Sequence, residues 1–389
     1  MQVAVGSICE VTAGQSAPQD SDAFGSKGKP FIRAGSLERL LEGAPEDECE
    51  RITDDVARRY RLRLFPSDTI LFAKSGMSAK IGRVYRLKQP AYLTSHLAAV
   101  IPGERVSPSY LQRWFEKHPP SRLIPNEAYP SIRTSEIAAL TLELPHGDEQ
   151  RRIAGILDKA DAVQRKRKEA IALTEQLLRS TFLGMFGDPV TNPKCWPVKP
   201  LGGLLSFLTS GSRGWAQYYA EVGETFLRIQ NVGRDRLDLT DVASVSAPTS
   251  AEARRTETSP GDVLLSITAD LGRTAVVPGT LERAFINQHL AILRPNGVNS
   301  EYLSSFLASE GGQRQINRRN KGGVKAGLNF DDIRSIEVAL PPVPVQDAFG
   351  LTKTMIRQLE THQLQARAVD EDLFNSLLAR AFSPAEARC

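Results

Sequence analysis

Arg228-Ile-Gln230-Asn231-Val-Gly-Arg234 places two guanidiniums and two carboxamides within seven residues, directly after a strand-like run. These groups recognise base edges: arginine pairs with guanine, and glutamine or asparagine with adenine, each through two hydrogen bonds. Arg213 and Trp215 stand in an earlier glycine-flanked loop. The stretch Arg318-Arg319-Asn320-Lys321-Gly-Gly-Val-Lys325 joins cations to a flexible backbone, which suits contact with phosphate. A second, earlier set comprises Arg33 with Ser36, the loop carrying Lys74, Lys80 and Arg83, and Arg122 before Asn126. Ser36 stands where Asn231 stands in the later set, and Gly35 where Gln230 stands, so the two sets would read different bases. Taken singly, each of these arginines is also an ordinary solvated charge.

Catalytic chemistry finds less support. His96 and His289 both head apolar, strand-like runs and have no acidic or cysteine neighbour, which favours a structural role over a catalytic one. Cys9, Cys49, Cys195 and Cys389 are scattered, with no C-x-x-C pair, so neither a zinc site nor a disulfide framework is expected. The chain carries no G-x-x-x-x-G-K-[ST] loop for ATP. Asp188-Pro189-Val-Thr starts like an amino-methyltransferase box but lacks its second proline and its aromatic. The expectation is a chain with no catalytic residue, no metal and no cofactor. A self-contained methyltransferase or nuclease is the competing reading, separable by assaying the purified chain alone.

The 389 residues allow two or three domains, and 41% hydrophobic with 24% charged residues is an ordinary globular balance. A net charge of +4 tolerates an acidic partner without demanding one. No apolar stretch approaches the roughly 18 residues of a membrane span, and Met1–Gly6 lacks a basic, then apolar, leader. A cytoplasmic protein with no membrane partner is expected, in keeping with the unpaired cysteines.

The elements that would position these residues are written twice. Leu142-Glu-Leu-Pro145 with Gln150 returns as Val338-Ala-Leu-Pro341 with Gln346, a shift of 196 (346 against 150). Pro30-Phe31-Ile32-Arg33 returns as Thr225-Phe226-Leu227-Arg228, and Ser95-His96-Leu97 as Gln288-His289-Leu290. Gly14 answers Gly211. The order never changes, so the chain is a tandem duplication.

Each copy begins with short β-prone runs after turn signals, such as Pro66-Ser-Asp68 and Pro260-Gly-Asp262, with short helical patches between. Each ends in a long helix free of internal proline. In the first helix Ile153, Ile156, Ala160, Val163, Arg167, Ala170, Thr174 and Leu177 fall at alternating three- and four-residue steps, as a coiled-coil seam requires. The second repeats it with Phe349, Thr352, Ile356, Leu359, Gln363, Ala366, Asp370 and Leu373. A helix packed only on its own domain is the alternative. The predicted fold is α+β, with globular domains at 1–145 and 201–342 of mixed sheet and short helices. Helices follow at 146–186 and 343–382, with a proline-rich linker at 187–200 and a tail at 383–389.

In this order the phrases resemble the specificity subunits of type I restriction–modification enzymes over nearly the whole chain. Gly261-Asp-Val-Leu-Leu-Ser266 running into Gly272-Arg273-Thr-Ala-Val is similar to a strand–loop–strand signature of that family. So are Phe285-Ile-Asn-Gln-His289 before Leu293-Arg-Pro295, and Leu328-Asn-Phe-Asp-Asp-Ile333 before Leu340-Pro-Pro342. Leu178–Pro189 resembles the end of the family's first helix. The first copy departs more: it has Leu144-Pro-His-Gly where Leu-Pro-Pro is usual, and its Ser75–Gly82 loop is longer than its counterpart. The resemblance implies two target-recognition domains held by an antiparallel helix pair with pseudo-twofold symmetry. It further implies that each domain reads half of a split double-stranded DNA target, with Arg273 among the candidate contacts. Two methyltransferase subunits and motor-nuclease subunits would be the partners, in a type I system or a related phage-defence system.

Overall fold

The computed structural model describes residues 1–320 and 327–383, divided into two compact units. One unit joins Met1–Lys168 to the segment from Gln365 onward, and the other is Glu169–Leu364. Each therefore contains one globular domain and a portion of both long helices. The mixed sheet-and-helix architecture expected from the sequence is the one observed.

In the first unit the strands β1 (Cys9–Ala13), β2 (Ile70–Ala73), β3 (Val84–Arg86) and β4 (Leu97–Pro102) form a sheet in the order β1-β4-β2-β3. Every neighbour pair is antiparallel. The central strands show no polar alternation because both faces are covered. Ile70, Phe72, Ala98 and Val100 enter one core, while Leu71, Leu97 and Ala99 enter another on the opposite face. The first core also takes Leu111 and Phe115 of helix α1 (Pro108–Lys117), whose proline in the first turn costs no hydrogen bond.

The second unit repeats this plan with β5 (Leu205–Ser210), β6 (Val263–Ser266), β7 (Thr274–Val276) and β8 (Leu290–Pro295), in the order β5-β8-β6-β7. Val263 and Leu265 share a core with Leu303 and Leu307, and Leu264 and Ile292 occupy the other face. A smaller sheet flanks each main one, through the parallel pairs Lys29–Ile32 with Tyr92–Leu93, and Glu224–Leu227 with Ala284–Ile286.

The long helices are α2 (Gly147–Phe186) and α4 (Val343–Ala381), and the shorter α3 (Ser300–Ala308) is the counterpart of α1. Neither long helix, nor any other among the described residues, is apolar enough to cross a membrane. Asp148 and Glu149 place negative charge in the first turn of α2, where the helix dipole favours it. Gln150 Oε1 accepts from the Ser107 amide at 2.8 Å, and its Nε2 donates to the carbonyls of Arg105 and Pro145. Gln346 does the same in the second unit, accepting from Asn299 N at 2.8 Å and donating to Pro341 O at 2.7 Å. The duplicated glutamine thus fastens the start of each long helix to its own domain. At the far end of α2, Gly187 takes the left-handed φ of +82° that a helix stop commonly uses. Lys194 and Trp196 of the linker then donate to the terminal carbonyls of Gly184, Met185 and Phe186.

The helices run antiparallel in each unit. Leu157, early in α2, shares a core with Leu378, late in α4, while Phe182 and Phe186 pack on Phe349, early in α4, with centroids 5.5 and 5.3 Å apart. The predicted seam and the covered face coincide in part: Arg167, Thr174, Ile356, Gln363 and Asp370 lie on both, while Ile156, Val163, Leu177, Leu359 and Leu373 stand one residue off it. Ile153, Phe349 and Ile356 are buried, and Ala160, Ala170 and Ala366 are half-buried. Ile156, Val163, Leu177, Leu359 and Leu373 are 40–53% exposed. The inner line of α2 runs through Leu157, Asp161, Gln164, Arg167, Ile171, Thr174 and Leu178, and that of α4 through Lys353, Ile356, Glu360, Gln363 and Asp370. At the displaced positions the apolar residue stands next to the covered one: Ile156 beside Leu157, Val163 beside Gln164 and Leu359 beside Glu360. Gln164 donates to Asp370 O at 3.1 Å, and Arg167 pairs with the Asp370 carboxylate at 3.1 Å.

Charged locks join α2 and α4 to the domains. In the first unit Arg113 of α1, almost fully buried, meets Asp158 at 2.9 Å and Asp161 at 3.1 Å on α2, and Glu116 at 2.9 Å. In the second unit the signs are reversed: Lys353 of α4 supplies the cation, and Asp235 and Glu301 of the domain supply the carboxylates.

Candidate nucleic-acid interface

One end of each main sheet gathers most of the chemistry-bearing loops. In the second unit β5 and β6 finish there and β8 and β7 begin there, so the segments 211–214, 267–273 and 287–289 emerge together. Gly211 passes so close to the Asn287 carbonyl that a Cβ would lie 2.0 Å from its oxygen, which restricts the position to glycine. Ser212 bridges Asn287, and Thr268 bridges Gly327. In the first unit Gly14 lies equally close to Leu93 O and Thr94 O, Gln15 bridges Thr94, and Ser75 bridges Ser131. The two ends are built to one plan.

The predicted cations divide into free and engaged groups. The side chains of Lys74, Arg213, Arg234 and Arg318 have no hydrogen-bond or ion-pair partner among the described residues, and all but the half-buried Lys74 are exposed. Lys74 lies at the end of β2, and Arg213 follows β5. Arg234 bridges Thr274 at the start of β7 through its backbone. Arg318 lies in the last turn of the helix Glu310–Arg319, whose Gln313 donates to Gly272 O in the 267–273 loop.

The remaining cations are held by neighbours. Arg33 pairs with Glu50 at 2.5 Å and lies over the rings of Phe24 and Phe31. Lys80 pairs with Glu127 at 3.4 Å, Arg83 with Glu38 at 2.6 Å, and Arg273 with Asp270 at 2.6 Å. Arg228 lies 3.6 Å from Asp241 and leaves its buried Nε without a partner. Pairs as exposed as most of these contribute little to stability, and DNA phosphate can exchange with such carboxylates. Arg319 is spent internally on Ser335 and the Gln315 carbonyl. Ser36 begins a short helix and donates its amide to Arg33 O. Lys321 and Lys325 lie outside the described residues.

The amides differ from expectation. Gln230 donates to Asp241 at 3.1 Å on the surface. Asn231 is turned inward and is 2% exposed. Its Oδ1 accepts from Arg228 N at 2.9 Å, and its Nδ2 donates to Asp238 O and Asp241 O. A buried amide with its groups satisfied by backbone shapes the loop and has no face to offer a base.

Sequence reasoning missed Ser75 and Thr268. Ser75 Oγ lies 2.8 Å from His96 Nδ1, and Thr268 Oγ1 lies 2.6 Å from His289 Nδ1. It also missed Tyr129, 83% exposed beside the hydrogen bond from Gly76 N to Pro130 O. The signal for the first pair was in the duplication, since Ser75 precedes His96 and Thr268 precedes His289 by the same interval. Among the described residues no cluster of His, Cys, Asp and Glu could hold a metal ion.

Known proteins match this chain over most of its length. The model of the type I restriction modification DNA specificity domain matches residues 1–173 and 245–365. A curated relative, the type I restriction enzyme MjaIX specificity subunit of Methanocaldococcus jannaschii, is 22% identical over 81% of this chain and 77% of its own length. The crystal structure of a type I restriction-modification system S subunit from M. genitalium superposes with a TM-score of 0.61 at 12% identity, covering 99% of this chain and 96% of that one. A chain from a structure addressing assembly and conformational transition of the type I R-M system gives 0.58 at 18% identity, with 98% and 97% covered. With well over half of its length matched by the family model, this chain belongs to the type I restriction–modification DNA specificity family, whose members are non-catalytic DNA-recognition subunits.

Proposed function

We propose that this subunit reads a bipartite duplex target, one half-site through the sheet end of each globular domain. The observation that carries the reading is the repetition of that end: the same glycine approach, hydroxyl–imidazole pair and loop bridges occur in both domains, around different free cations. A shared frame with different side chains suits two readings of different sequence. Lys74, Arg213, Arg234 and Arg318 position the duplex through phosphate, and Lys80, Arg83, Arg228, Gln230 and Arg273 reach base edges or phosphate as their carboxylates give way. Lys321 and Lys325 join the phosphate contacts.

The scaffolding role falls to the exposed apolar stripes of α2 and α4. Leu351 and Met355 are 71% and 68% exposed, on a face their own unit does not cover. Large aliphatic side chains left open on a long helix mark a protein-docking surface. Two methyltransferase subunits dock there, and motor-nuclease subunits join that assembly. The test replaces residues 1–145 with the first domain of another family member and maps the methylated target in cells. One half of the target should change and the other stay. Changes in both halves would end the reading of one half-site per domain.

A further inference from the structure

His96 and His289 have the same environment in the two domains. Each follows the smaller sheet, heads the strand β4 or β8, and accepts at its carbonyl the amide of the residue after β2 or β6, Lys74 N or Ile267 N, at 2.9 Å. Each ring is fixed through Nδ1 by a hydroxyl, Ser75 in one domain and Thr268 in the other. That contact leaves Nε2 as the remaining ring nitrogen. His96 is exposed and its Nε2 has no partner among the described residues, whereas the half-exposed His289 has its Nε2 3.2 Å from the Gln288 side-chain amide, which must turn its oxygen to the ring or swing aside for Nε2 to donate. Around these rings the domains differ: Lys74 is answered by Ile267, Ser95 by Gln288, and Ser16 by Arg213.

What is common to two domains that read different sequences serves what is common to the two half-sites, and in duplex DNA that is the sugar–phosphate backbone. We propose that His96 and His289 are matched phosphate contacts, one per half-site, each donating from Nε2–H to a backbone oxygen. The neighbouring hydroxyl gives the mechanism. A serine or threonine that donates to Nδ1 keeps the ring proton on Nε2, the tautomer from which a phosphate oxygen can accept. Ser75 and Thr268 are then positioning residues. The inference rests on the sheet ends facing DNA, as proposed above.

The experiment measures binding of the full chain, with its methyltransferase subunits, to two fluorescent duplexes, one of random sequence and one bearing the methylated target. His96→Ala and His289→Ala should each weaken binding to both duplexes by the same factor, roughly three- to tenfold. Ser75→Ala and Thr268→Val should produce a smaller loss in the same direction. The methylated sequence and the melting temperature should stay as in the wild type. Unchanged binding in both histidine variants would overturn the proposal, as would a loss confined to the target duplex or a loss that tracks a fall in melting temperature. Unchanged binding in Lys74→Ala and Arg213→Ala as well as in the histidine variants would instead overturn the placement of DNA at the sheet ends, and this proposal with it.

Discussion

The Lys353 ammonium of α4 lies 2.5 Å from the Asp235 carboxylate of the second recognition domain, with both side chains under 10% exposed. Glu301 completes the site at 2.7 Å, and Ser304 and Ser305 donate to Asp235 at 2.6 and 2.5 Å. Removing one member of a buried pair strands the other, which typically costs about 3–5 kcal/mol. Lys353→Met should therefore lower the unfolding free energy by about 3 kcal/mol, the hydroxyl donors softening the loss. Lys353→Met with Asp235→Leu should recover most of it, because Leu157 stands at the equivalent position of α2, 196 residues earlier (353 against 157), and is buried there without a charged partner. Denaturant titration of the two variants checks this. Equal destabilisation in single and double variants would show that the pair is not the source of the loss.

How much of this was legible in the sequence depends on whether a feature is repeated. The duplicated phrases were readable because they stand at matching places in both copies: Gly14 and Gly211 where backbone crowds, Gln150 and Gln346 where a helix is fastened, although their partners lie far away in the chain. The seam was readable only to within one residue. Its buried cation Lys353 finds Asp235 and Glu301 at 118 and 52 residues away, and spacing on a helix carries no trace of such partners. Asn231 was misread for a related reason. An amide after a strand suits base reading and loop capping equally, and its seven-residue reach to Asp238 decides for capping.

Asn231→Ala should accordingly act on stability and leave the recognised bases alone. It strands the Arg228 amide and the Asp238 and Asp241 carbonyls, a loss of about 1–3 kcal/mol. Thermal melting should fall while methylation mapping returns the wild-type target. A relaxed base at one position with unchanged melting would restore the base-reading role.

Among the free cations, Lys74→Ala and Arg213→Ala should weaken binding to all duplexes alike. Each removes one of the proposed phosphate contacts, so the slope of log affinity against log salt should become shallower by about one. Anisotropy titrations at several salt concentrations give the slope directly. An unchanged slope in Arg213→Ala would place that side chain away from the duplex.

His118 should make the first unit sensitive to acid. Its ring stacks on Trp114 at 4.9 Å and meets Phe382 edge-on at 6.3 Å. Burial holds it below its usual 6.5, against the pull of the Trp114 carbonyl. The folded value lies below the unfolded one, so folding favours the neutral ring. That contribution is present above the unfolded value and is lost as pH falls through the folded one. Melting of the wild type should drop between about pH 7 and pH 5 more steeply than that of His118→Gln. Parallel pH profiles for the two proteins would remove His118 as the cause.

The apolar stripe on α4 offers the sharpest separation of folding from assembly. Leu351 and Met355 sit four residues apart, on adjacent turns, and stand mostly exposed in their own unit. A lysine there exchanges one exposed side chain for another, so Met355→Lys should change the chain's own stability by less than about 0.5 kcal/mol. The nearest native cations on the helix, Lys353 and Arg357, are already engaged with Asp235 and Glu360, so the variant adds an ammonium with no counterpart on this face. In a complex the same position would be desolvated, and burying an unpaired ammonium against an apolar partner is strongly unfavourable. Co-purification with the methyltransferase subunit should therefore fall sharply in Met355→Lys and further in Leu351→Lys with Met355→Lys, while duplex binding by the chain itself persists. Full assembly in the double variant would move the methyltransferase contact off this face of α4.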